Sequence, residues 1–228
     1  MKKVIYTAIT GKYDNLQEPE YIPKGYDFIC FTDHKINKPN SIWNIKYVLP
    51  LYDDNTRVAR KYKILPHRFL SEYDLSIWID GNFIIKNDIH NFIEKCLSNH
   101  NMACFDHISC YDKRNCAYQE ANAIFSLGRE KGKTFKDNPY IIKSQMERYI
   151  SEKYPPESGL ISSGVLIRKH NKSDVIKVME DWWLELKYGS KRDQLSFNYT
   201  AWKNSFNFLY INKDIRNNEY FQMKKHNK

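Results

Sequence analysis

Residues 75–82 read Leu-Ser-Ile-Trp-Ile-Asp-Gly-Asn, and the fold can be built outward from them. Leu75 to Ile79 is apolar, rich in β-branched and aromatic side chains, and too short for a helix. It reads as a strand buried on both faces. It ends abruptly in Asp80-Gly81-Asn82, where Gly81 permits a tight turn and leaves room for a ligand near the backbone. Two oxygen-bearing side chains two residues apart at the end of a rigid strand can reach one hard divalent cation, which suits a site that handles a nucleoside diphosphate. The same three residues also spell an ordinary turn between two strands.

Strand-like runs of the same kind lie on either side. Residues 4–9 end at Thr10-Gly11, residues 26–32 end at Asp33, and residues 43–49 form a weaker third run. Residues 55–70 read as a helix, with Val58, Tyr62, Leu65 and Phe69 at helical spacing and a kink at Pro66. After residue 82 the pattern predicts strands over 83–85, 102–105, 159–168 and 206–211. Helices are predicted over 88–97, 115–127, 138–152, 173–187 and 192–202. Strands alternating with helices imply an α/β protein with an open, largely parallel sheet covered on both faces. Ligands of such sheets gather beyond the carboxyl ends of the strands. Residues 7–14, Asp33, residues 80–82 and Asp106-His107 should therefore face one crevice. No repeat or linker divides the 228 residues, so one domain over 1–228 is expected. Its tail, 212–228, is either flexible or closes over the ligand site.

Composition limits the function. Hydrophobic residues are 42% and charged residues 28% of the chain, as in ordinary globular proteins. The formal net charge of +9 suits a phosphorylated small molecule, an anionic membrane surface or a nucleic acid. No zinc finger or RNP-type strand is present, so nucleic acid is not expected. Five cysteines with no CxxC pair fit reduced thiols better than a zinc site, although Cys110 and Cys116 are close enough in sequence to bridge a loop. The chain enters a strand at once, without the pattern of a signal peptide, and has no run of membrane-spanning length. A cytoplasmic, at most membrane-peripheral, protein is expected.

Around the Asp80 motif, Thr7, Ala8, Thr10, Gly11 and Tyr13, with Asp33, are placed to take a nucleobase and ribose. Arg57, Arg60 and Lys63 recur every three residues, so they share a helix face and can offset phosphate charge. His107, Arg114, Tyr118 and Glu120 form a polar cluster suited to an acceptor hydroxyl, with Glu120 a candidate general base. Ser163 and Gly164 are small residues within a strand, where a sugar could approach the backbone. Asp193 and Gln194 open a predicted helix and can reach sugar hydroxyls, and Asp193 is the second candidate base. His226 is a candidate third metal ligand.

Taken in order, the strings VIYTAITGKYD, YDFICFTD, R-x-A-R-x-x-K at 57–63, SIWIDGNF, CFDHISCYDKRNCAYQEA, GLISSGVLIRKHN and SKRDQLSFNY resemble one family. It is the glycosyltransferase-like family of bacterial polysaccharide loci and plant Golgi proteins of mucilage and cell-wall synthesis. The resemblance spans about residues 3–205 of the sequence. It implies a GT-A type, Rossmann-like open mixed sheet flanked by helices on both faces, a nucleotide-sugar donor, and a saccharide or glycolipid acceptor in the building of surface glycans. It implies that Asp80, Gly81 and Asn82 form the motif for metal (Mn²⁺ or Mg²⁺) and diphosphate. Arg60 and Lys63 would lie near the donor, and Asp193 and Gln194 beside the transferred sugar, as in glycogenin-like transferases. Asn82 departs from the family's usual second Asp. Two other readings compete: a non-catalytic glycan- or RNA-binding module, and a sugar nucleotidyltransferase. The latter is disfavoured because the first loop has only one glycine and one lysine.

Overall fold

A computed structural model describes residues 1–49, 52, 54–130 and 132–225. Its strands in chain order are β1 (Lys3–Ile9), β2 (Tyr26–Thr32), β3 (Asn44–Tyr47), β4 (Leu75–Ile79), β5 (Phe83–Ile85), β6 (Met102–Asp106), β7 (Ile161–Arg168), β8 (Leu209–Ile211) and β9 (Phe221–Met223). Seven of them form one sheet in the order β3-β2-β1-β4-β7-β6-β8, and β5 pairs with β9 separately. Every pairing in the main sheet is parallel except those of β7, which runs antiparallel to both neighbours. The largely parallel sheet expected from strand–helix alternation is thus a mixed one. Alternation alone does not reveal that β7 is entered from the opposite end. The sheet is open and mixed, as the family resemblance implies.

Helices α1 (Asn55–Ile64), α2 (Pro66–Phe69), α3 (His90–Cys96), α4 (Ala117–Arg129), α5 (Pro139–Ser151), α6 (Ser173–Tyr188) and α7 (Phe197–Lys203) cover it. The period-two geometry of a strand sends alternate side chains of β4 to opposite faces. Ile77 and Ile79 join one core with Ile5, Phe28, Phe92 and Ile93. Trp78 joins the other with Tyr6, Val58, Tyr62, Leu166 and Trp182. A third cluster, including Ala121, Ile142 and Tyr149, lies between α4 and α5. All five cysteines are buried and free, so no bridge joins Cys110 to Cys116. No helix among the described residues is long and apolar enough to cross a membrane.

Local chemistry explains where the structure and the sequence pattern differ. The helix predicted over 55–70 breaks between α1 and α2, because Pro66 has no N–H and forces Leu65 out of the helical region (φ −109°, ψ 49°). The helix predicted over 192–202 is a 3-10 turn, Asp193–Leu195, followed by α7. The Trp182 indole N–H takes the Asp193 carbonyl at 3.0 Å, and Ser196 N–H donates to the same oxygen at 3.3 Å. That tightens the turn before an α-helix can form. The tail is not loose over the described residues. Strand β9 lies on β5, and Lys224 N–H donates to the Asn82 carbonyl at 2.7 Å.

Ile77 is fully buried on a central strand. Ile77→Ala should cost about 2–5 kcal/mol of stability, read as a lower midpoint in urea at unchanged slope.

Candidate active site

Asp80 leaves the end of β4 into a turn closed by two main-chain bonds. Its N–H donates to the Gly164 carbonyl at 2.8 Å, and its carbonyl accepts from Phe83 N–H at 2.9 Å. The turn is tight, since a Cβ on Gly81 would stand 3.0 Å from the Ile9 side chain. Two donors and a further cation converge on one carboxylate oxygen, Asp80 Oδ1: the Trp78 indole N–H at 2.7 Å and Lys63 Nζ at 3.2 Å donate to it, and Arg60 Nη1 stands 3.6 Å away as a charge contact. Oδ2 takes part in none of these contacts.

Lys63 comes from the last turn of α1, and its side chain is fully buried. Its ammonium also meets Asp193 Oδ2 at 2.6 Å and Ser163 Oγ at 3.3 Å. Arg60, one turn earlier, brings Nε to 3.1 Å from Asp193 Oδ2, a charge contact without hydrogen-bond alignment. Ser163 O–H donates to that oxygen at 3.0 Å. A β-bulge supplies Ser163: the pairing of β7 with β6 jumps between Cys104 and Phe105. Bulges of this sort re-aim side chains beside active sites. Two carboxylates and two cations are therefore packed together at the carboxyl end of β4. Burial alone would raise the Asp193 carboxyl, but Arg60 and Lys63 outweigh it and hold it well below the usual carboxylate range.

A second polar cluster follows β6. His107 and Glu120 are both buried. Arg114 donates from Nε to Glu120 Oε2 at 2.6 Å, pairs with Asp112 at 2.6 Å, and donates its backbone N–H to His107 Nδ1 at 3.2 Å. Burial and then the Arg114 charge push His107 below the ordinary imidazole value. Arg216 joins from the C-terminal segment, 2.7 Å from Asp112. Arg192, next to Asp193, stands 3.8 Å from Glu120. That last contact links the two clusters.

The remaining predicted residues scatter around this centre. Asp33 accepts from Gly11 N–H at 2.9 Å and pairs with His34 at 2.8 Å, so it closes the loop after β1. Gly11 is in the left-handed region (φ +62°), and a Cβ there would fall 2.1 Å from Asn55 Nδ2. Thr10 O–H caps the Asn55 carbonyl at 2.7 Å. Thr7 Oγ1 is buried without a hydrogen-bond partner among the described residues, Ala8 is buried and Tyr13 is exposed. Arg57 departs from the stripe it shares with Arg60 and Lys63. Its guanidinium donates to the Leu186 and Gly189 carbonyls and pairs with Asp54 at 2.8 Å. Tyr118 O–H donates to the Tyr154 carbonyl at 2.9 Å, and Gln194 Nε2 donates to the Ile161 carbonyl at 2.9 Å. Gly164 lies against Phe83, 2.9 Å from where its Cβ would be. His226 lies outside the described residues.

The TOD1/MUCI70 glycosyltransferase-like domain matches residues 1–226 of this chain. The chain belongs to that family. Within the TOD1/MUCI70 family it is similar to a probable hexosyltransferase, MUCI70, of Arabidopsis thaliana, at 27% identity over 213 residues. The match covers 85% of this chain and 36% of that protein, so the chain spans about a third of its relative's length. Solved structures similar to it include the apo form of the bifunctional glycosyltransferase WbbM (12% identity, TM-score 0.45, 92% of this chain and 38% of that one). Another is a glycosyltransferase involved in the glycosylation of the major capsid of PBCV-1 (11%, TM-score 0.42, 94% and 82%). These are loose likenesses, and the fold is assigned from the strand order itself.

The donor set for a metal in this TOD1/MUCI70 chain is small. Among the described residues no three His, Cys, Asp or Glu side chains gather as a metal cluster. Asp80 Oδ2 stands outside the cation contacts. Asn82 donates Nδ2 to the Lys224 carbonyl at 2.9 Å, so Oδ1 is the atom of that side chain that could meet a metal. One charged and one neutral oxygen fit Mg²⁺ or Mn²⁺ when substrate phosphates supply further ligands. Sequence reading missed Trp78 as a donor to Asp80, and it missed the Asp112–Arg216 pair. A tryptophan two residues before Asp80 projects to the α1 face by strand alternation, which was a usable signal. The Arg216 contact spans 104 residues and left none.

In the unfolded chain the Asp193 carboxyl has an ordinary value near pH ~3.9, whereas in the fold it sits lower. The unfolded state therefore takes up the proton first as pH falls. The stability supplied is complete above that value and is lost as pH drops through the folded one. Asp193→Asn should cost about 3–5 kcal/mol at neutral pH and show a shallower loss of stability with acid than the wild type, measured by urea titrations from neutral pH downward.

Proposed function

We propose that this chain is a glycosyltransferase that moves a sugar from a nucleotide-sugar donor to a hydroxyl of a saccharide or glycolipid acceptor, in surface-glycan synthesis. The observation that carries the reading is the cluster of Asp80, Lys63, Arg60 and Asp193 at the carboxyl end of β4, set in a chain of a glycosyltransferase-like family. Sheets of this class bind nucleotides at such an edge.

Asp80 Oδ2 and Asn82 Oδ1 would hold Mn²⁺ or Mg²⁺ there, and the ion, when bound, would neutralise the diphosphate and stabilise its departure. Arg60 and Lys63 stand beside the same carboxylate and are placed to share the phosphate charge. The loop from Thr10 to Tyr13, fixed by Asp33 and Asn55, borders the crevice on the side suited to the nucleoside. The acceptor oxygen bonds to the anomeric carbon as the bond from that carbon to the diphosphate oxygen breaks. The hydroxyl proton needs a base. Asp193 would have to release two cations and Glu120 its Arg114 clamp before either could act. The leaving diphosphate oxygen needs no such rearrangement and is the base this reading assigns. Asp193 then orients the donor sugar, and the Arg114–Glu120–His107 cluster orients the acceptor.

The test is a thermal-stability panel of nucleotides and nucleotide-sugars with and without Mn²⁺. A ligand present at about 100 times its dissociation constant should add roughly 2.7 kcal/mol. One nucleotide class should raise the melting temperature, more so with metal, and Asp80→Ala should abolish the shift. Binding of glycan or RNA that survives Asp80→Ala, with no response to any nucleotide, would instead establish a non-catalytic binding module.

A further inference from the structure

Arg168, at the end of β7, is fully buried, and no carboxylate lies within ion-pair reach of it among the described residues. Its Nη2 donates to the Lys63 carbonyl at 2.8 Å and contacts the Tyr6 hydroxyl, and Nη1 reaches the Met179 sulfur at 3.3 Å. Its Nε is buried without a hydrogen-bond partner among the described residues. Such a cation is costly to bury, and apolar residues commonly replace it without loss of stability. The compensation visible here comes from the end of α1. Lys63 lies in the last turn of that helix, whose carbonyls have no partner within the helix and carry its negative dipole end. Tyr6 O–H donates to the same Lys63 carbonyl at 2.9 Å.

Strand β7 therefore grips Lys63 at both ends. Ser163 meets the ammonium at 3.3 Å and Arg168 meets the main-chain carbonyl. The bulge in β7 makes this possible, because residues 163 and 168 differ in parity and would otherwise face opposite sides of the sheet. The same buried layer continues to Asp80. The Tyr6 ring packs edge-on to Trp78 with centroids 5.2 Å apart, the Lys63 ammonium lies 5.5 Å over the Trp78 ring, and the Trp78 indole holds Asp80.

We infer that Arg168, assisted by Tyr6, is a positioning residue for the donor site: it fixes Lys63 by its main-chain carbonyl and so sets where the ammonium stands between Asp80 and Asp193. The inference rests on reading that cluster as the donor site. It touches no substrate, and nothing about its position requires contact with one. Its effect is on geometry, since a small rotation of the last turn of α1 would carry the Lys63 ammonium away from the 2.6 Å contact with Asp193.

The test uses the full chain with Arg168→Met, Arg168→Lys and Tyr6→Phe. Two readouts are taken: affinity for UDP and GDP with Mn²⁺ by calorimetry, and the titration of the Asp193 carboxyl by carbon-13 NMR. Arg168→Met should keep or raise the melting temperature, yet lose about tenfold or more in nucleotide affinity, as supporting residues behind a ligand site do. Its Asp193 titration should move up toward the ordinary carboxylate range. Arg168→Lys should recover part of both, and Tyr6→Phe should show both effects in smaller degree. A folded Arg168→Met with wild-type affinity and unmoved Asp193 titration would overturn the inference. If Arg168→Met does not fold, Tyr6→Phe decides by the same two readouts. If the wild type binds neither nucleotide, the donor-site reading fails, while the Asp193 titration still judges whether Arg168 positions Lys63.

Discussion

The buried ammonium of Lys63, held between Asp80 and Asp193, is the constraint around which the rest of this structure is arranged. Burial, and then the Arg60 charge, pull its pKa below the ordinary ammonium value, and the carboxylates of Asp193 and Asp80 oppose them; these two carboxylates come from elements far apart in the chain. One ends a central strand, the other opens a 3-10 turn after α6. Bringing them to one point requires α1 to pack on the sheet face that holds Trp78 and Tyr6, with the Lys63 side chain reaching Asp80, and β7 to lie beside β4 in the antiparallel sense. Each of these features is observed, and each is covered by apolar packing on the face that holds Trp78, Tyr6 and Trp182.

Such a cluster is costly unless something makes use of it, because apolar replacements of buried ion groups are often neutral or stabilising. Its placement at the ligand-binding edge of an α/β sheet supplies the reason. Arg60 and Lys63 keep Asp193 ionised, and Trp78 with the two cations turns one oxygen of Asp80 inward while the other takes no part. The outcome is a preorganised field of mixed sign, which on the proposed reading would receive a diphosphate with its counter-ion. The C-terminal segment contributes to the same edge. It pairs β9 with β5, places Lys224 against Asn82 and places Arg216 against Asp112, so residues distant in sequence border both the Asp80–Asn82 turn and the Arg114–Glu120–His107 cluster.

Much of this was legible in the sequence, for a physical reason in each case. The apolar run 75–79 could only be a buried strand, and the crevice at its end followed from the alternation of strands and helices. Arg60 and Lys63 were paired by helical spacing alone. The same spacing overreached at Arg57, whose position three residues earlier carries it past the end of the crevice to the carbonyls of Leu186 and Gly189. Tyr118 was grouped with Arg114 and Glu120 by proximity in sequence, yet on a helix it lies about 200° from Glu120 at 100° per residue and packs toward Tyr154 instead.

The sequence by itself determined the strands of the main sheet and β5, most of the helices and the identity of the charged residues at the strand ends, because those are set by local periodicity and turn chemistry, whereas β9 shows only through its pairing with β5. The tertiary structure alone decided the direction of β7, the bulge that turns Ser163 toward Lys63, the 3-10 turn at Asp193, and the reach of Arg168 to the far end of α1. These depend on contacts between residues as much as 162 positions apart, as between Tyr6 and Arg168. No local pattern encodes them, since the free energy that fixes them is gained only when the sheet and its helices come together.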